Sequence, residues 1–128
     1  MALRQDGDVT DWVVLLRFSV PTDAVTAFTD EATRVARLLR ARDGCRGIEV
    51  GRASDDPTLW VLSSRWESVG AYRRALSDYE IKVNAVPFLS RAIDEPTAFE
   101  VLFSMDAEGE RAASGDLASD ANTVDRSR

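Results

Sequence analysis

The sequence predicts an α+β domain in the order β-α-β-β-α-β, with an antiparallel four-stranded sheet and helices on one face. Three observations predict it. The chain has 128 residues, which is the length of about one domain. Its hydrophobic share of 45% is enough to fill a core. Strand-like and helix-like apolar periods alternate between residues 11 and 103, in the split βαβ pattern of ferredoxin-like folds.

The first strand and the first helix have the clearest patterns. Residues 11–20 (DWVVLLRFSV) alternate and are rich in Val, Phe and Trp, which favours a strand. Pro21 ends this strand, and Thr22-Asp23 offer an N-cap. The apolar residues that then recur at spacings of three and four are Val25, Phe28, Ala32, Val35 and Leu39. This spacing predicts an amphipathic helix of roughly five turns, which Asp43-Gly44 ends.

Two strands and a short helix follow. Residues 45–53 and 58–66 favour strands, and the turn SDDP (54–57) joins them. Ser68 is a suitable N-cap for a short helix. The apolar face predicted for this helix consists of Val69, Tyr72 and Leu76.

The stretch before the last strand is harder to interpret. The residues of 77–85 that alternate as in a strand are Tyr79, Ile81, Val83 and Ala85, so this segment stays ambiguous. Residues 86–93 favour a short helix with Pro87 in its first turn. Residues 97–103 (TAFEVLF) are the predicted last strand.

The two ends of the chain differ from its centre. Residues 1–10 are expected to form a flexible N-terminus. From Ser104 the chain is polar, small and almost free of large apolar side chains, so burial cannot offset the entropy lost on ordering. We therefore expect one domain over residues 11–103 and a disordered tail over residues 104–128.

The first and third strands are apolar on both faces. On the first strand, the face predicted to meet the helices consists of Trp12, Val14, Leu16 and Phe18. Val13 and Leu15 lie on its opposite face, as Leu59 and Val61 do on the third strand. Because helices cover only one face, the other must meet another surface, most simply a second copy of the chain. The sequence thus predicts a homodimer through the outer sheet face.

Charge and hydropathy exclude several partners. The formal net charge is −6, and the 16 basic residues are scattered rather than clustered. This balance argues against nucleic acid and anionic membrane surfaces as partners. No apolar run is long enough to span a membrane, and the N-terminus has no secretory signal pattern. We expect a soluble, cytoplasmic protein.

The residue types also limit the chemistry. The absence of histidine removes the commonest general base and the commonest metal ligand. Cys45 is the only cysteine, which excludes an intrachain disulfide and a thiol-rich metal site. No phosphate-binding glycine loop, catalytic carboxylate pair or nucleophile elbow is present. The sequence therefore predicts neither a metal nor a cofactor.

Residues 11–103 resemble the antibiotic biosynthesis monooxygenase family, whose members are dimeric α+β barrels. The segments that carry the resemblance are WVVLLRFSV, GCRGIEVGR, WVLSSRWESVGAYRRAL and PFLSRAIDEPTAFEVL. Members that oxidise polycyclic phenols use O₂ without metal or flavin, because the deprotonated substrate itself donates an electron to oxygen. The resemblance implies a cofactor-independent monooxygenase that acts on an electron-rich aromatic metabolite.

The resemblance also implies site residues. The family's tryptophan on the third strand corresponds to Trp66, and its tyrosine in the following helix corresponds to Tyr72. The family's asparagine, four residues before the tryptophan, is replaced by Leu62, which cannot hydrogen-bond a phenolate or peroxide. The cavity arginine corresponds to Arg91 or Arg65. Haem-degrading members need an axial histidine, so the sequence argues against that activity.

Each candidate residue also has a purely structural interpretation. Trp66 shares a strand face with Trp60 and Leu62, and these three either fill the core or line a substrate cavity. Tyr72 either packs or donates a hydrogen bond to substrate. Arg91 is either solvated or binds an anionic substrate through its planar guanidinium. Two functions stay open: the monooxygenase, or a non-catalytic dimeric domain that binds an apolar small ligand or a protein partner.

Overall fold

A four-stranded antiparallel sheet forms the centre of the fold in the computed structural model, which describes residues 11–113. Its strands are β1 (Trp12–Ser19), β2 (Cys45–Arg52), β3 (Leu59–Trp66) and β4 (Ala98–Glu100). They lie in the order β2-β3-β1-β4, so β1 and β3 are central. The predicted α+β, ferredoxin-like arrangement is confirmed. The expected flexible N-terminus, residues 1–10, lies outside the described residues.

Helices connect the strands and supply the other half of the core. Within residues 11–113 they are α1 (Val25–Arg40), which follows a 3-10 turn at Thr22–Ala24, α2 (Val69–Ser77), α3 (Tyr79–Asn84) and α4 (Val86–Leu89). The residues that α1 buries are Phe28, Ala32, Val35 and Leu39, four of the five predicted from spacing. No helix in this part of the chain is long and apolar enough to cross a membrane.

Gly44 fixes how the end of α1 meets the start of α2. Its φ of +89° is a left-handed conformation that glycine adopts without steric cost. A Cβ added there would lie 2.5 Å from the Cβ of Ala71, so only a hydrogen fits. The Gly44 carbonyl accepts a 2.8 Å hydrogen bond from the Glu67 backbone N–H. This close approach places α2 directly after the end of β3.

Helix α2 begins where the sequence predicts. The Ser68 side chain accepts a 3.0 Å hydrogen bond from the Ala71 backbone N–H, which confirms the N-cap. Its fully buried residues, however, are Ala71 and Ala75, whereas the predicted face of Val69, Tyr72 and Leu76 is only half-buried. The alanines allow the helix to lie close to its neighbours, which leaves Tyr72 at the margin of the core.

Residues 79–84 form a helix although their apolar residues alternate as in a strand. Asp78 caps α3, and its carboxylate accepts hydrogen bonds of 3.1 and 3.4 Å from the Glu80 and Ile81 backbone N–H groups. Ile81 and Ala85, four residues apart, are buried, while Tyr79 and Val83 are exposed. The apolar alternation is therefore not a burial pattern, and the cap decides the structure of the segment.

The last predicted strand is shorter than expected and is followed by a hairpin. Strand β4 covers only Ala98–Glu100, and the chain then forms β5 (Phe103–Asp106) and β6 (Gly109–Ala112). This corrects the predicted disorder for residues 104–112. Local polar contacts stabilise the turn, because Asp106 accepts 2.9 Å hydrogen bonds from the Glu108 backbone N–H and from Arg111. Residues 114–128 lie outside the described residues.

The two faces of the sheet have different environments. The helix-facing side of β1 and β3 is buried, as the sequence predicts. On the outer side Leu15 and Phe99 are exposed, and Arg65 also lies on this side. The Arg17 guanidinium forms two 2.7 Å hydrogen bonds with the Glu95 carboxylate. This bidentate contact raises the pKa of Arg17 and lowers the pKa of Glu95.

Candidate active site

Aromatic and carboxylate side chains come together on the inner face at one end of the sheet, which we call the tryptophan end. It is formed by Trp12 of β1, Trp66 of β3, Glu100 of β4 and Tyr72 of α2. Trp12 is paired with Trp66 on one side and with Glu100 on the other, so the three lie side by side across the sheet. The Tyr72 ring lies against Trp66 with 5.3 Å between ring centroids.

Trp66 is fully buried, and its polar atom is satisfied inside the protein. The indole Nε1–H donates a 2.8 Å hydrogen bond to the hydroxyl of Ser64, which is itself buried. Trp66 and Ser64 are two residues apart on β3, so the strand geometry places both on the inner face. The indole N–H is therefore occupied, and Trp66 presents only its apolar ring to the tryptophan end.

Tyr72 combines a packed ring with a polar group at the edge of the core. Burial raises the pKa of its phenol, because the charged form would lose hydration. No group within residues 11–113 forms a hydrogen bond with the Tyr72 hydroxyl. The phenol therefore stays protonated at neutral pH and retains a hydrogen bond to donate to an anionic ligand.

Leu62 and Trp60 continue the inner face of β3 away from Trp66. Leu62 is fully buried and is paired with Leu16 and Val50 on the flanking strands. Its surroundings are apolar, so this position supplies packing and no hydrogen-bonding group. Trp60 belongs to an aromatic cluster at the opposite end of the sheet, with ring centroids 5.0–5.4 Å apart, formed with Phe18, Phe28 and Phe88.

Arg91 lies at the opposite end of the sheet from Trp66 and Tyr72. Its guanidinium donates a 2.9 Å hydrogen bond to Glu31 and lies 5.1 Å from the centroid of the Phe88 ring. Because Phe18 pairs with Trp60 and Trp12 pairs with Trp66, the two ends are separated by six residues of strand, about 20 Å. The structure therefore does not bring Arg91 to the other proposed site residues. Arg65 does not reach them either, because it lies on the outer face.

A cavity of about 130 Å³ lies beside Arg91. It is lined mainly by small or apolar residues of β1, α1 and the connection between them, including Val20, Ala24 and Ala27, with Glu31 and Arg91 at its polar side. The Glu31–Arg91 ion pair neutralises both charges there. The cavity is thus separate from the tryptophan end.

Two residues of the tryptophan end escape sequence reasoning. Trp12 is assigned to the inner face only as a packing residue, and Glu100 is not singled out. One carboxylate oxygen of Glu100 is buried. The signal is its spacing of two from Ala98 in β4, which places both on the face of Val14 and Trp12.

No metal-binding cluster of three or more His, Cys, Asp or Glu side chains occurs within residues 11–113. Cys45 is buried, and burial raises the pKa of its thiol, so the protonated form is favoured at neutral pH. It lies beside Trp66 on β2 by register and acts as a packing residue.

The sequence model for antibiotic biosynthesis monooxygenases matches residues 12–82, which run from β1 into α3. The chain belongs to the antibiotic biosynthesis monooxygenase family. The matched range includes Trp66 and Tyr72 but not Arg91 or Glu100. Comparison with curated proteins gives no significant match.

Solved structures with the same fold come from bacteria and archaea. A mutant of SnoaB, a cofactor-independent oxygenase from Streptomyces nogalater, is 22% identical with a TM-score of 0.61, over 70% of this chain and 90% of that one. A conserved protein from Methanosarcina mazei Go1 is 17% identical with a TM-score of 0.60, over 76% and 97% of the two chains. Rv0793 from Mycobacterium tuberculosis is 20% identical with a TM-score of 0.57, over 76% and 98%. At these identities the likeness establishes the fold.

Proposed function

We propose that this protein is a cofactor-independent monooxygenase that oxidises an electron-rich aromatic metabolite with O₂. The observation that carries the proposal is the Trp66–Tyr72 pair of the tryptophan end. It combines an apolar aromatic surface with a protonated phenol that forms no hydrogen bond within the described residues. Membership of the monooxygenase family supports the reaction class.

The proposed reaction converts a ring CH₂ of a tricyclic phenol into a carbonyl. The carbon first loses a proton and becomes a carbanion conjugated with the aromatic rings. It passes one electron to O₂, and the resulting radical and superoxide combine into a peroxide. Loss of water from the peroxide leaves the carbonyl, so one oxygen atom enters the product and the other leaves as water. Both electrons that reduce the peroxide come from the substrate.

The protein's share of this reaction is positioning and electrostatics. The Tyr72 hydroxyl donates a hydrogen bond to the oxyanion conjugated with the carbanion, and the ring of Trp66 packs against the substrate. Leu62 supplies no polar group, so another residue must accept the substrate's proton. Glu100, whose carboxylate lies on the same face, is the proton acceptor that we propose.

We also propose that the active form is a homodimer through the outer sheet face. The exposed side chains of Leu15 and Phe99 and the half-buried Val13 and Val61 form an apolar surface that the chain itself does not cover. A stable dimer of this kind buries on the order of 2,000 Å² or more.

Variants at the tryptophan end test the proposed site. We expect Tyr72→Phe to lower turnover of a tricyclic phenol by roughly tenfold to a hundredfold, because the lost hydrogen bond stabilises the anion. Glu100→Gln should lower turnover as well, and the loss should be smaller at high pH, where the substrate ionises in solution. Tyr79→Phe is the matched control, since Tyr79 is exposed and lies outside the tryptophan end. Equal turnover in all three variants would refute the assignment.

A second function fits one observation better. Leu62 and Trp66 are both buried, and the Trp66 indole N–H donates to the Ser64 hydroxyl, so the inner face of β3 is apolar except for Ser64. A non-catalytic domain that binds an apolar small ligand would need no more than this. Calorimetry with a tricyclic phenol under anaerobic conditions separates the two functions. Binding that is followed by no oxygen consumption when air is admitted identifies the binding domain.

A further inference from the structure

The cavity beside Arg91 has an apolar floor and an opening to solvent. Its floor consists of Phe18, Val20 and Phe28, which are all buried. Ala27 and Arg91 also line the cavity, and both are exposed, so they lie at its mouth. A small molecule can therefore enter from solvent between the end of β1 and the first turn of α1.

The volume of the cavity limits the ligand to one ring. It measures about 130 Å³, and an apolar cavity of about 150 Å³ in another protein holds one benzene molecule. The rings of Phe18 and Phe28 lie with 5.3 Å between centroids, within the range at which aromatic rings pack favourably. A third ring has room beside them. A tricyclic phenol does not fit, so the cavity takes a ligand different from the proposed substrate.

The charged side chains at the mouth carry an excess of positive charge. Glu31 accepts a 2.9 Å hydrogen bond from Arg91, and this pair is neutral by itself. Arg34 lies 3.8 Å from the other carboxylate oxygen of Glu31 and donates a 2.9 Å hydrogen bond to the backbone carbonyl of Asn84. Two guanidinium groups thus share one carboxylate. A second carboxylate, supplied by a ligand, would balance the charge of this group.

The Arg91 guanidinium is oriented and has donors to spare. Its plane is held by the Phe88 ring, whose centroid lies 5.1 Å away, and by the contact with Glu31. Within residues 11–113 the Arg91 side chain donates only that one hydrogen bond. A guanidinium has five N–H donors in a planar arrangement that matches a carboxylate. Arg91 can therefore bind a ligand carboxylate while it keeps its contact with Glu31.

We propose that this cavity is a binding site for a single-ring aromatic carboxylate. The ring packs on the buried floor of Phe18 and Phe28, and the carboxylate accepts hydrogen bonds from Arg91 at the mouth. A neutral ring would leave the positive charge unbalanced, and a carboxylate without a ring would leave the floor empty. The site is separate from the tryptophan end and does not depend on the proposed oxidation.

A titration with benzoate, followed by the backbone amide signals in NMR, tests the site. We expect saturable shifts of the signals around Ala24 and Ala27, with a dissociation constant on the order of 1 mM, because the ligand has few atoms. The signals around Tyr72 should not shift. Benzamide, which has the same shape and no charge, should bind about tenfold more weakly, since it loses a charge-assisted hydrogen bond. Acetate, which has no ring, should cause no saturable shift.

Two variants test the floor and the mouth separately. Arg91→Gln should weaken benzoate binding about tenfold and leave benzamide binding unchanged. Its control is Arg37→Gln, which removes the same charge from an exposed position of α1 outside the cavity. Ala27→Leu should block the mouth and abolish binding of both ligands. Thr26→Leu places the same side chain on the neighbouring exposed residue, which does not line the cavity, and should bind benzoate as wild type does.

The outcomes that would overturn the proposal are distinct. An absence of saturable shifts with benzoate up to about 20 mM would exclude the site. Equal binding of benzoate and benzamide, or equal binding by wild type and Arg91→Gln, would exclude recognition of the carboxylate. Shifts confined to the signals around Tyr72 would place benzoate at the tryptophan end instead. None of these results bears on oxygen uptake with a tricyclic phenol, so the proposed function is tested independently.

Discussion

The indole of Trp66 is held from two sides, by the Ser64 hydroxyl on its own strand and by the Tyr72 ring on α2. The hydrogen bond fixes the orientation of the ring within the inner face, and the tyrosine covers one edge. A buried indole N–H without a partner would cost free energy, so Ser64 is necessary for the arrangement. At this scale, the tryptophan end depends on a small polar residue next to two aromatic ones.

Replacing Ser64 tests this dependence. We expect Ser64→Ala to lower the free energy of unfolding by about 1–3 kcal/mol, because the indole N–H of Trp66 loses its acceptor in the core. Ser63→Ala is the matched control, since Ser63 faces the other side of the same strand, and its effect should stay within about 0.5 kcal/mol. Urea denaturation of the two variants measures the difference. Equal midpoints would show that the hydrogen bond does not support Trp66.

The raised pKa of Tyr72 has a consequence for stability at high pH. Its folded pKa lies above the ordinary tyrosine value of about 10, so the unfolded chain releases the proton first as pH rises. Stability from this group is therefore complete below about pH 10 and is lost as pH rises through the folded pKa. We expect wild type to lose more stability than Tyr72→Phe between pH 9 and 11 in denaturant titrations. Parallel losses in the two proteins would contradict a raised pKa.

Helix α3 shows how one polar residue outweighs an apolar pattern. Asp78 accepts hydrogen bonds from two backbone N–H groups and lies 3.4 Å from Arg42. We expect Asp78→Ala to destabilise the protein by about 1 kcal/mol, since the helix loses its cap. Asp78→Asn keeps a capping oxygen and loses only the partly exposed ion pair, so its effect should be at most a few tenths of a kcal/mol. Thermal unfolding of both variants measures the comparison, and equal losses would assign the effect to the ion pair.

The sequence predicts best the elements whose apolar periodicity extends over several turns or whose first residue is preceded by a clear capping residue. The pattern of Val25 to Leu39 and the cap at Ser68 predict α1 and the start of α2. The segment 77–85 is ambiguous in sequence because Ile81 and Ala85 fit both the alternation of a strand and the i, i+4 spacing of a helix, and the pattern does not show which apolar residues are buried. The hairpin is not predicted because the argument from composition considers only how much apolar surface the segment can bury. Its turn is stabilised instead by local hydrogen bonds to the Asp106 side chain.

The candidate site could be predicted only in part. Trp66 and Tyr72 follow from the resemblance, and the structure places them in contact. The position of Glu100 beside Trp12 depends on the register between strands, which no local pattern contains. The spacing of two places Ser64 on the same face as Trp66 but does not predict the hydrogen bond between their side chains. Arg91 lies far from Trp66 and Tyr72 because it follows α4, which lies at the opposite end of the sheet. The spacing of residues along one sequence does not show at which end of the sheet a helix lies.

At the scale of the whole molecule, the proposed homodimer requires the outer sheet face to be an interface. We expect Val61→Asp to convert the dimer to monomers at micromolar concentration, because a charge would be buried without a partner. Thr26→Asp adds the same charge on the exposed surface of α1 and should leave the dimer intact. Light scattering coupled to size-exclusion chromatography compares them. A wild-type monomer, or a Val61→Asp dimer, would contradict the interface.

In the proposed reaction, O₂ reacts directly with the bound substrate anion, without a metal or cofactor. The most direct test supplies isotopically labelled O₂ to the protein and a tricyclic phenol after exhaustive chelation, and measures oxygen uptake and product mass. We expect uptake of one O₂ per product, one labelled oxygen atom in the product, and a rate that chelation does not change. Uptake no faster than without protein across a panel of such phenols, or a rate that requires an added metal or flavin, would contradict it.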